Sequence, residues 1–121
     1  MDKKLSKILK LLWGQKYKNI KVYDVEESGV SKFLVVATAV NVLENKKSAT
    51  QLMLDLKFED AVDGLHKGEW IIFDLDDIVL HLFASGFREK FNIDKLYKGR
   101  EILIEKEENK IKQETKKKNK V

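Results

Sequence analysis

The first fifteen residues carry apolar side chains at helical spacing, with lysines among the positions between them. These apolar residues recur at i, i+3, i+4, i+7 and i+8, which predicts an amphipathic helix of about three turns. Gly14 follows the last of them and is expected to end the helix. The apolar positions are Leu5, Ile8, Leu9, Leu12 and Trp13.

Two strands and a second helix are predicted next. From Ile20 to Val25 apolar and polar residues alternate, which indicates a half-buried strand. After the turn EESG, residues 33–40 (FLVVATAV) form a continuous β-rich run, typical of a central strand covered on both faces. A helical stripe then predicts a helix from about Leu43 to Phe58. The stripe consists of Leu43, Ala49, Leu52, Met53 and Leu56, with Lys47 as a further member.

The segment EWIIFDLDDIVLHLF predicts a β-hairpin in which Asp76-Asp77 is a two-residue turn. In this register Leu75 pairs with Ile78 and Trp70 with Phe83, and the two faces of the hairpin differ in composition. One face is wholly apolar and is expected to lie in the core: Ile71, Phe73, Leu75, Ile78, Leu80 and Leu82. The other face is mixed: Trp70, Ile72, Asp74, Val79, His81 and Phe83.

The mixed face has two interpretations that the period of the pattern does not separate. A helix covers it, or it is a partner surface in which an aromatic pair beside a histidine and an aspartate forms an anchor cluster. For Trp70 itself, burial in the core is the commoner role of such a residue. The preceding segment FEDAVDGL is a weaker strand candidate, and SGFREKFNIDKLYKG predicts one or two helical turns, capped by Ser85 or Asn92 and ending near Gly99.

The composition changes after residue 100. Residues 101–121 carry seven lysines and five glutamates. We expect one domain over residues 1–100 and a charged, Lys-rich C-terminal tail over residues 101–121 that is helical to disordered. The 121 residues are too few for two ordinary domains.

Cysteine usage and hydropathy narrow the functional class. The sequence has no cysteine, which excludes disulfides, thiolate catalysis and Cys-ligated metal sites and fits a cytoplasmic protein. The formal net charge of +4 is weak evidence for nucleic-acid binding. No secretion signal or run of about 18 apolar residues is found, so a membrane partner is not expected.

Three aspartates at the hairpin turn suggest a metal site, because alternate strand residues place carboxylates on one side. The sequence offers no Gly-rich phosphate-binding turn before a helix, which nucleotidyl transfer needs. A charged turn is therefore favoured, with a metal-dependent nucleotidyltransferase or phosphohydrolase using Asp74, Asp76 and Asp77 as the alternative. His81 could act as a base oriented by Asp74, but Ser85 lies in no nucleophile elbow.

The segment from Gly68 to Gly99 resembles the signature of the ribosomal silencing factor (Iojap-like) family. In that signature a Trp strand, a turn ending in Asp, a His strand, an Arg helix and a final Leu-Trp/Tyr pair follow in order. The upstream segment IKVYDVEESGVSKFLVVATA is similar to two strands of the same family, so the resemblance covers residues 1 to about 99. Asp76 replaces the usual Gly and is expected to adopt a positive φ. The matching positions are Trp70, Asp74, Asp77, His81, Phe83, Arg88, Phe91, Leu96 and Tyr97.

The resemblance implies a single α/β domain with a mixed sheet of about five strands and flanking helices, similar to nucleotidyltransferases but without their catalytic residues. It also implies a non-catalytic, cofactor-free protein, often a homodimer, that binds the large ribosomal subunit. The contact is chiefly with the fourteenth ribosomal protein of that subunit, and it sterically blocks joining with the small subunit and represses translation. An auxiliary contact of the Lys-rich tail with rRNA is a further expectation. The expected partner-binding residues are Trp70, Ile72, Asp74, Asp77, His81, Phe83 and Arg88.

Overall fold

The computed structural model describes residues 2–104, which contain four α-helices, one short 3-10 helix and five strands. The helices are α1 (Lys3–Gly14), α2 (Val42–Asp55), α3 (Phe87–Phe91) and α4 (Ile93–Leu96), and the 3-10 helix is Glu26–Ser28. The strands are β1 (Lys18–Asp24), β2 (Phe33–Ala39), β3 (Trp70–Asp74), β4 (Ile78–Ala84) and β5 (Glu101–Ile102).

The five strands form one mixed sheet in the order β3-β4-β2-β1-β5. Strands β2 and β4 pair in parallel, and every other pair is antiparallel. The central position of β2, flanked by β4 and β1, explains its continuous apolar run, because both of its faces are covered. The predicted single α/β domain with a five-stranded mixed sheet is confirmed.

The inner side of the sheet packs against α1 and α2 and forms the main core. Helix α1 begins where the Asp2 carboxylate accepts a hydrogen bond from the Leu5 backbone N–H and ends at Gly14, as predicted. Four of its five predicted apolar-face residues, Leu5, Ile8, Leu9 and Leu12, are buried. The fifth, Trp13, is half-buried against the same core. These side chains lie over the inward residues of β1, β2, β3 and β4.

The predicted stripe of α2 is wrong in part. Leu43 is 63% exposed and the helix ends at Asp55, three residues before the predicted end. The buried face instead carries Asn45 and Ser48 beside Ala49 and Leu52. Burial of Asn45 is tolerated because its side chain accepts from Tyr17 Oη and donates to the backbone oxygens of Gly68 and Leu82.

Two expectations for strands are corrected. The predicted alternation of β1 holds at Ile20, Lys21 and Val22 but fails at Tyr23, which is buried on the opposite face beneath the α3–α4 segment. The weak strand candidate FEDAVDGL contributes a single isolated bridge, between Asp63 and Ile72. Both backbone hydrogen bonds of that bridge fall on the outer edge of β3, so this loop caps the edge strand in part.

The predicted hairpin register is confirmed residue by residue. Trp70 pairs with Phe83 and Asp74 with Val79, and the Leu75 backbone N–H donates to the Ile78 oxygen across the turn. Asp76 adopts the expected positive φ of 69°. All six residues of the apolar face are buried.

The sheet extends past the predicted domain boundary at residue 100. Ile102 pairs with Val22 and Glu101 with Tyr23 to form the edge strand β5, and Ile104 packs against the inner core. The helical-to-disordered interpretation of the tail otherwise falls on residues 105–121, which lie outside the described residues. Within residues 2–104 no helix has the length and apolar character needed to cross a membrane.

Candidate functional site

The outer hairpin face, which comprises Trp70, Ile72, Asp74, Val79, His81 and Phe83, is covered at one end by α3 and α4. The two short helices meet at Asn92, whose φ of 52° turns the chain between them. Asn92 occupies the predicted cap position of α4 but makes no side-chain cap bond. Ser85 does not cap α3, whose N-cap is Gly86, and its backbone N–H donates to the Ala39 oxygen. The interpretation in which helices cover the mixed face is therefore confirmed at this end. The partner-surface interpretation stays a prediction for the remainder.

Trp70 is the centre of an aromatic cluster at the covered end. Its ring stacks on Phe83, with centroids 5.1 Å apart and planes 24° apart, and lies 4.6 Å from the Phe91 centroid. Phe83 is fully buried, Trp70 is half-buried and Phe91 is 44% exposed. Trp70 and Phe91 therefore present apolar aromatic surface to solvent above a rigid base.

His81 fixes the indole orientation. The Trp70 Nε1–H donates to His81 Nδ1 at 3.0 Å, an arrangement that needs a neutral imidazole with an unprotonated Nδ1. Burial lowers the pKa of His81 to about 4, so the neutral form dominates near pH 7. Asp74 instead accepts from the backbone N–H of Asp76, and its strand partner is Val79. The predicted pairing of His81 with Asp74 is absent from the described residues.

Arg88 is buried and ties the α3–α4 segment to the sheet. Its Nε donates to Asp94 Oδ2 at 2.8 Å and its second terminal nitrogen to Asp94 Oδ1 at 2.9 Å. The remaining terminal nitrogen donates to the Asn19 oxygen and to Thr38 Oγ1. These bonds join α3, α4, β1 and β2, so the guanidinium supports the fold of this segment from within.

Asp94 is the acidic partner in this network. The Arg88 hydrogen bonds lower the pKa of Asp94 to about 2, and the Tyr23 hydroxyl donates to Asp94 Oδ1 at 2.6 Å. Burial and the same bond raise the pKa of Tyr23 above its ordinary value. The Arg88–Asp94 ion pair fixes both ends of the segment that contains Phe91 and so holds this ring against Trp70.

The seven expected partner-binding residues do not form one exposed surface. Trp70 and Ile72 are half-buried and Asp74 is exposed, whereas His81, Phe83 and Arg88 lie inside. Phe91, part of the matched sequence signature but not an expected contact, is exposed at the cluster. Its position could not be read from the pattern, because it depends on the break at Asn92.

The three aspartates of the turn are not assembled into a metal site in the described part of the chain, where no group of three potential ligands is found. Asp77 pairs with Lys4 of α1 at 2.9 Å, and this hydrogen bond lowers the pKa of its carboxyl. The Asp74 carboxylate caps the turn through Asp76. The observed contacts are those of a charged turn docked on α1.

Comparison with known proteins gives a consistent picture. The family model "Ribosomal silencing factor during starvation" matches residues 1–121. A ribosomal silencing factor of Chromobacterium violaceum is 30% identical over 92 residues, which cover 67% of this chain and 75% of that protein. One of Zymomonas mobilis is 29% identical over 75 residues, or 62% of this chain. The chain spans only about half (52%) of that second relative.

Two solved structures share the fold. A Chromobacterium violaceum protein superposes with a TM-score of 0.69 at 24% identity, over 90% of this chain and 98% of that one. A Bacillus halodurans protein does so with a TM-score of 0.67 at 17% identity, over 85% and 100%. With the family model matched over the whole sequence, the chain belongs to the ribosomal silencing factor family.

Proposed function

We propose that the protein binds the large ribosomal subunit, chiefly through the fourteenth ribosomal protein, and thereby blocks joining of the small subunit. Membership of the ribosomal silencing factor family supports the ribosomal role, and the name of its curated relatives agrees with it. The cytoplasm is the proposed setting, where this partner resides. Self-association and a tail contact with rRNA stay predictions.

The observation that carries the proposal is the accessible pair of rings formed by Trp70 and Phe91. Partly exposed aromatic residues over a packed base are typical anchors of protein interfaces, because they bury much apolar area and lose little side-chain entropy. Phe83 supplies the base and His81 holds the indole. Both restrict the motion of Trp70 before any partner binds.

The seven expected site residues, together with Phe91, divide into two roles in this proposal. Trp70, Ile72, Asp74 and Phe91 contact the partner, because their side chains reach the surface. Asp77 sets the position of the turn through Lys4. His81, Phe83 and Arg88 position the contact residues from below.

Silencing by this route needs no chemical step. A protein that occupies a surface required by the small subunit shifts the joining equilibrium by mass action, in proportion to its concentration over its dissociation constant. The inhibition must therefore be reversible and must be overcome by excess small subunits.

Sedimentation with separated ribosomal subunits tests the proposal. The wild-type chain is expected to sediment with large subunits and not with small subunits in a sucrose gradient. Light scattering should show that it slows or reduces subunit joining, and that added small subunits restore joining. Binding to small subunits alone, or binding to large subunits without any effect on joining, would contradict it.

A further inference from the structure

Positive charge is concentrated at the start of the described chain. Residues 2–21 carry seven lysines against one aspartate, whereas residues 22–104 carry fifteen acidic and ten basic side chains. The segment that forms α1 and the beginning of β1 is thus basic, and the remainder of the described fold is acidic. Such segregation is not needed for folding, which the apolar face of α1 already supports.

Three lysines form a strip along the outward side of α1. Lys3, Lys7 and Lys10 follow one another at i, i+4 and i+7, opposite the buried apolar face. They line one shallow depression that contains no carboxylate, together with Ser6 and Leu11. The fourth lysine of the helix, Lys4, points instead to the hairpin turn, where it pairs with Asp77.

The lysine strip (Lys3, Lys7 and Lys10) takes part in none of the ion pairs found among residues 2–104. Lys7 also borders a cleft near three aspartates, whereas Lys3 and Lys10 do not. The aspartates of that cleft are Asp60, Asp74 and Asp76.

The strip is unfavourable for the helix that carries it. Lys3, in the first turn, opposes the helix dipole, which the Asp2 carboxylate at the N-cap offsets in part, and like charges at i, i+3 and i, i+4 repel each other. Helix α1 has no acidic residue in its first turn, while α2 has Glu44 there, paired with Lys47 at 3.8 Å. An external anion would relieve both effects in α1.

We infer that the lysine strip contacts the phosphate backbone of ribosomal RNA. A line of ammonium groups that makes no ion pair among residues 2–104 gains affinity on a polyanion by releasing its counterions. An anionic membrane fits less well, because basic amphipathic helices bind membranes by inserting their apolar face, and that of α1 is buried in the core. The choice of ribosomal RNA rests on the proposed function.

The strip and the aromatic pair lie on different sides of the sheet. Helix α1 covers the inner side, whereas Trp70 and Phe91 belong to the outer side. The two contacts are therefore separate, and their effects on binding free energy should be additive.

The test compares two triple variants of the full chain that lose the same charge. Lys3→Gln/Lys7→Gln/Lys10→Gln removes the strip, and Lys47→Gln/Lys57→Gln/Lys67→Gln removes three exposed lysines elsewhere. Affinity for isolated large subunits is measured over a range of salt concentrations. The strip variant should flatten the slope of log affinity against log salt by about two to three units, and the control by less than one.

Thermal unfolding separates binding from folding. Because the strip repels itself, the strip variant should melt at the same or a higher temperature at low salt, while it binds more weakly. Equal slopes for the two triple variants would overturn the inference. The inference would also be overturned if the strip variant lost binding to phosphatidylserine vesicles but bound RNA as the wild-type chain does.

A short RNA duplex provides a second probe that does not depend on the ribosome. The same difference in slope between the two variants is expected on the duplex. If the wild-type chain fails to bind large subunits, the proposed function is wrong, and the duplex alone decides whether the strip binds RNA phosphates.

Discussion

The two faces of the β3–β4 hairpin belong to the same segment of the chain, and alternate residues along the strands point to one face or the other. On the inner face Ile71, Phe73, Ile78, Leu80 and Leu82 are completely buried. On the outer face burial falls from Phe83, which is fully buried, through the half-buried Trp70 to the exposed Asp74. The inner face packs entirely in the main core, whereas the outer face contacts two short helices at one end and solvent at the other.

Under the proposed function, the inner face stabilises the fold and the outer face binds the partner. Inner residues are selected by the volume and apolar character of the core. Outer residues combine apolar contact with hydrogen bonds such as that between Trp70 and His81, and they leave aromatic surface accessible. Substitutions on the inner face should therefore change the free energy of unfolding, and substitutions at the outer rim should change binding.

The largest expected effect is on the inner face. Phe73→Ala removes a fully buried ring that packs against Phe58 at 5.6 Å between centroids, and should lower the free energy of unfolding by about 4 kcal/mol. Urea denaturation measures it. The fraction that stays folded should bind large subunits as wild type does. A loss under about 1 kcal/mol would mean that the inner face is not the principal core.

The next effect concerns the support of the outer face. Arg88→Met leaves the carboxylate of Asp94 without its buried partner and should lower the free energy of unfolding by about 3 kcal/mol. Adding Asp94→Asn should recover part of this loss, because it removes the unpaired charge. Absence of any such coupling in the double-mutant cycle would show that the pair does not stabilise α3 and α4.

Because it carries His81, the outer face makes the free energy of unfolding depend on pH, whereas the inner face has no titratable side chain. Its folded pKa of about 4 lies below the ordinary value of 6.5, so the unfolded chain binds the proton more readily. The contribution to stability is complete above pH 6.5 and is lost as the pH falls towards 4, by about 2 to 3 kcal/mol. His81→Gln should remove this part of the dependence. If the free energy of unfolding falls with pH in the same way for wild type and His81→Gln, the imidazole is not buried in its neutral form.

The smallest expected effect is at the acidic turn. Millimolar magnesium or manganese should leave the melting temperature unchanged, because a bound ion would stabilise the folded state in proportion to its occupancy. A rise in melting temperature that Asp76→Asn abolishes would instead support the metal-dependent alternative.

The inner face was predictable because alternation along a strand is fixed by the pleat. The hairpin register and the burial of its apolar face followed from period and turn alone. Helix α2 was less predictable, since its buried face includes Asn45, whose three hydrogen bonds reach Tyr17, Gly68 and Leu82 from distant parts of the chain. No local pattern indicates such partners.

The sequence predicted which residues belong to the outer face, but not which of the expected site residues are buried and which reach the surface. Arg88 was expected at the partner surface because it matches the Arg helix of the family signature, whereas the structure buries it. Its acceptors include Asn19 and Thr38, which are distant in sequence and become neighbours only in the folded sheet. The exposure of Phe91 likewise depends on the left-handed conformation of Asn92.

The most direct test of the outer-face assignment compares two exposed apolar residues. Phe91→Ala removes the accessible ring beside Trp70, and Leu43→Ala removes a more exposed side chain from α2. Affinity for isolated large subunits should fall by roughly tenfold or more for Phe91→Ala, as for an interface anchor, and stay unchanged for Leu43→Ala, with melting temperatures close to wild type. Equal affinities of the two variants would contradict the assignment of the Trp70–Phe91 surface as the contact with the ribosome.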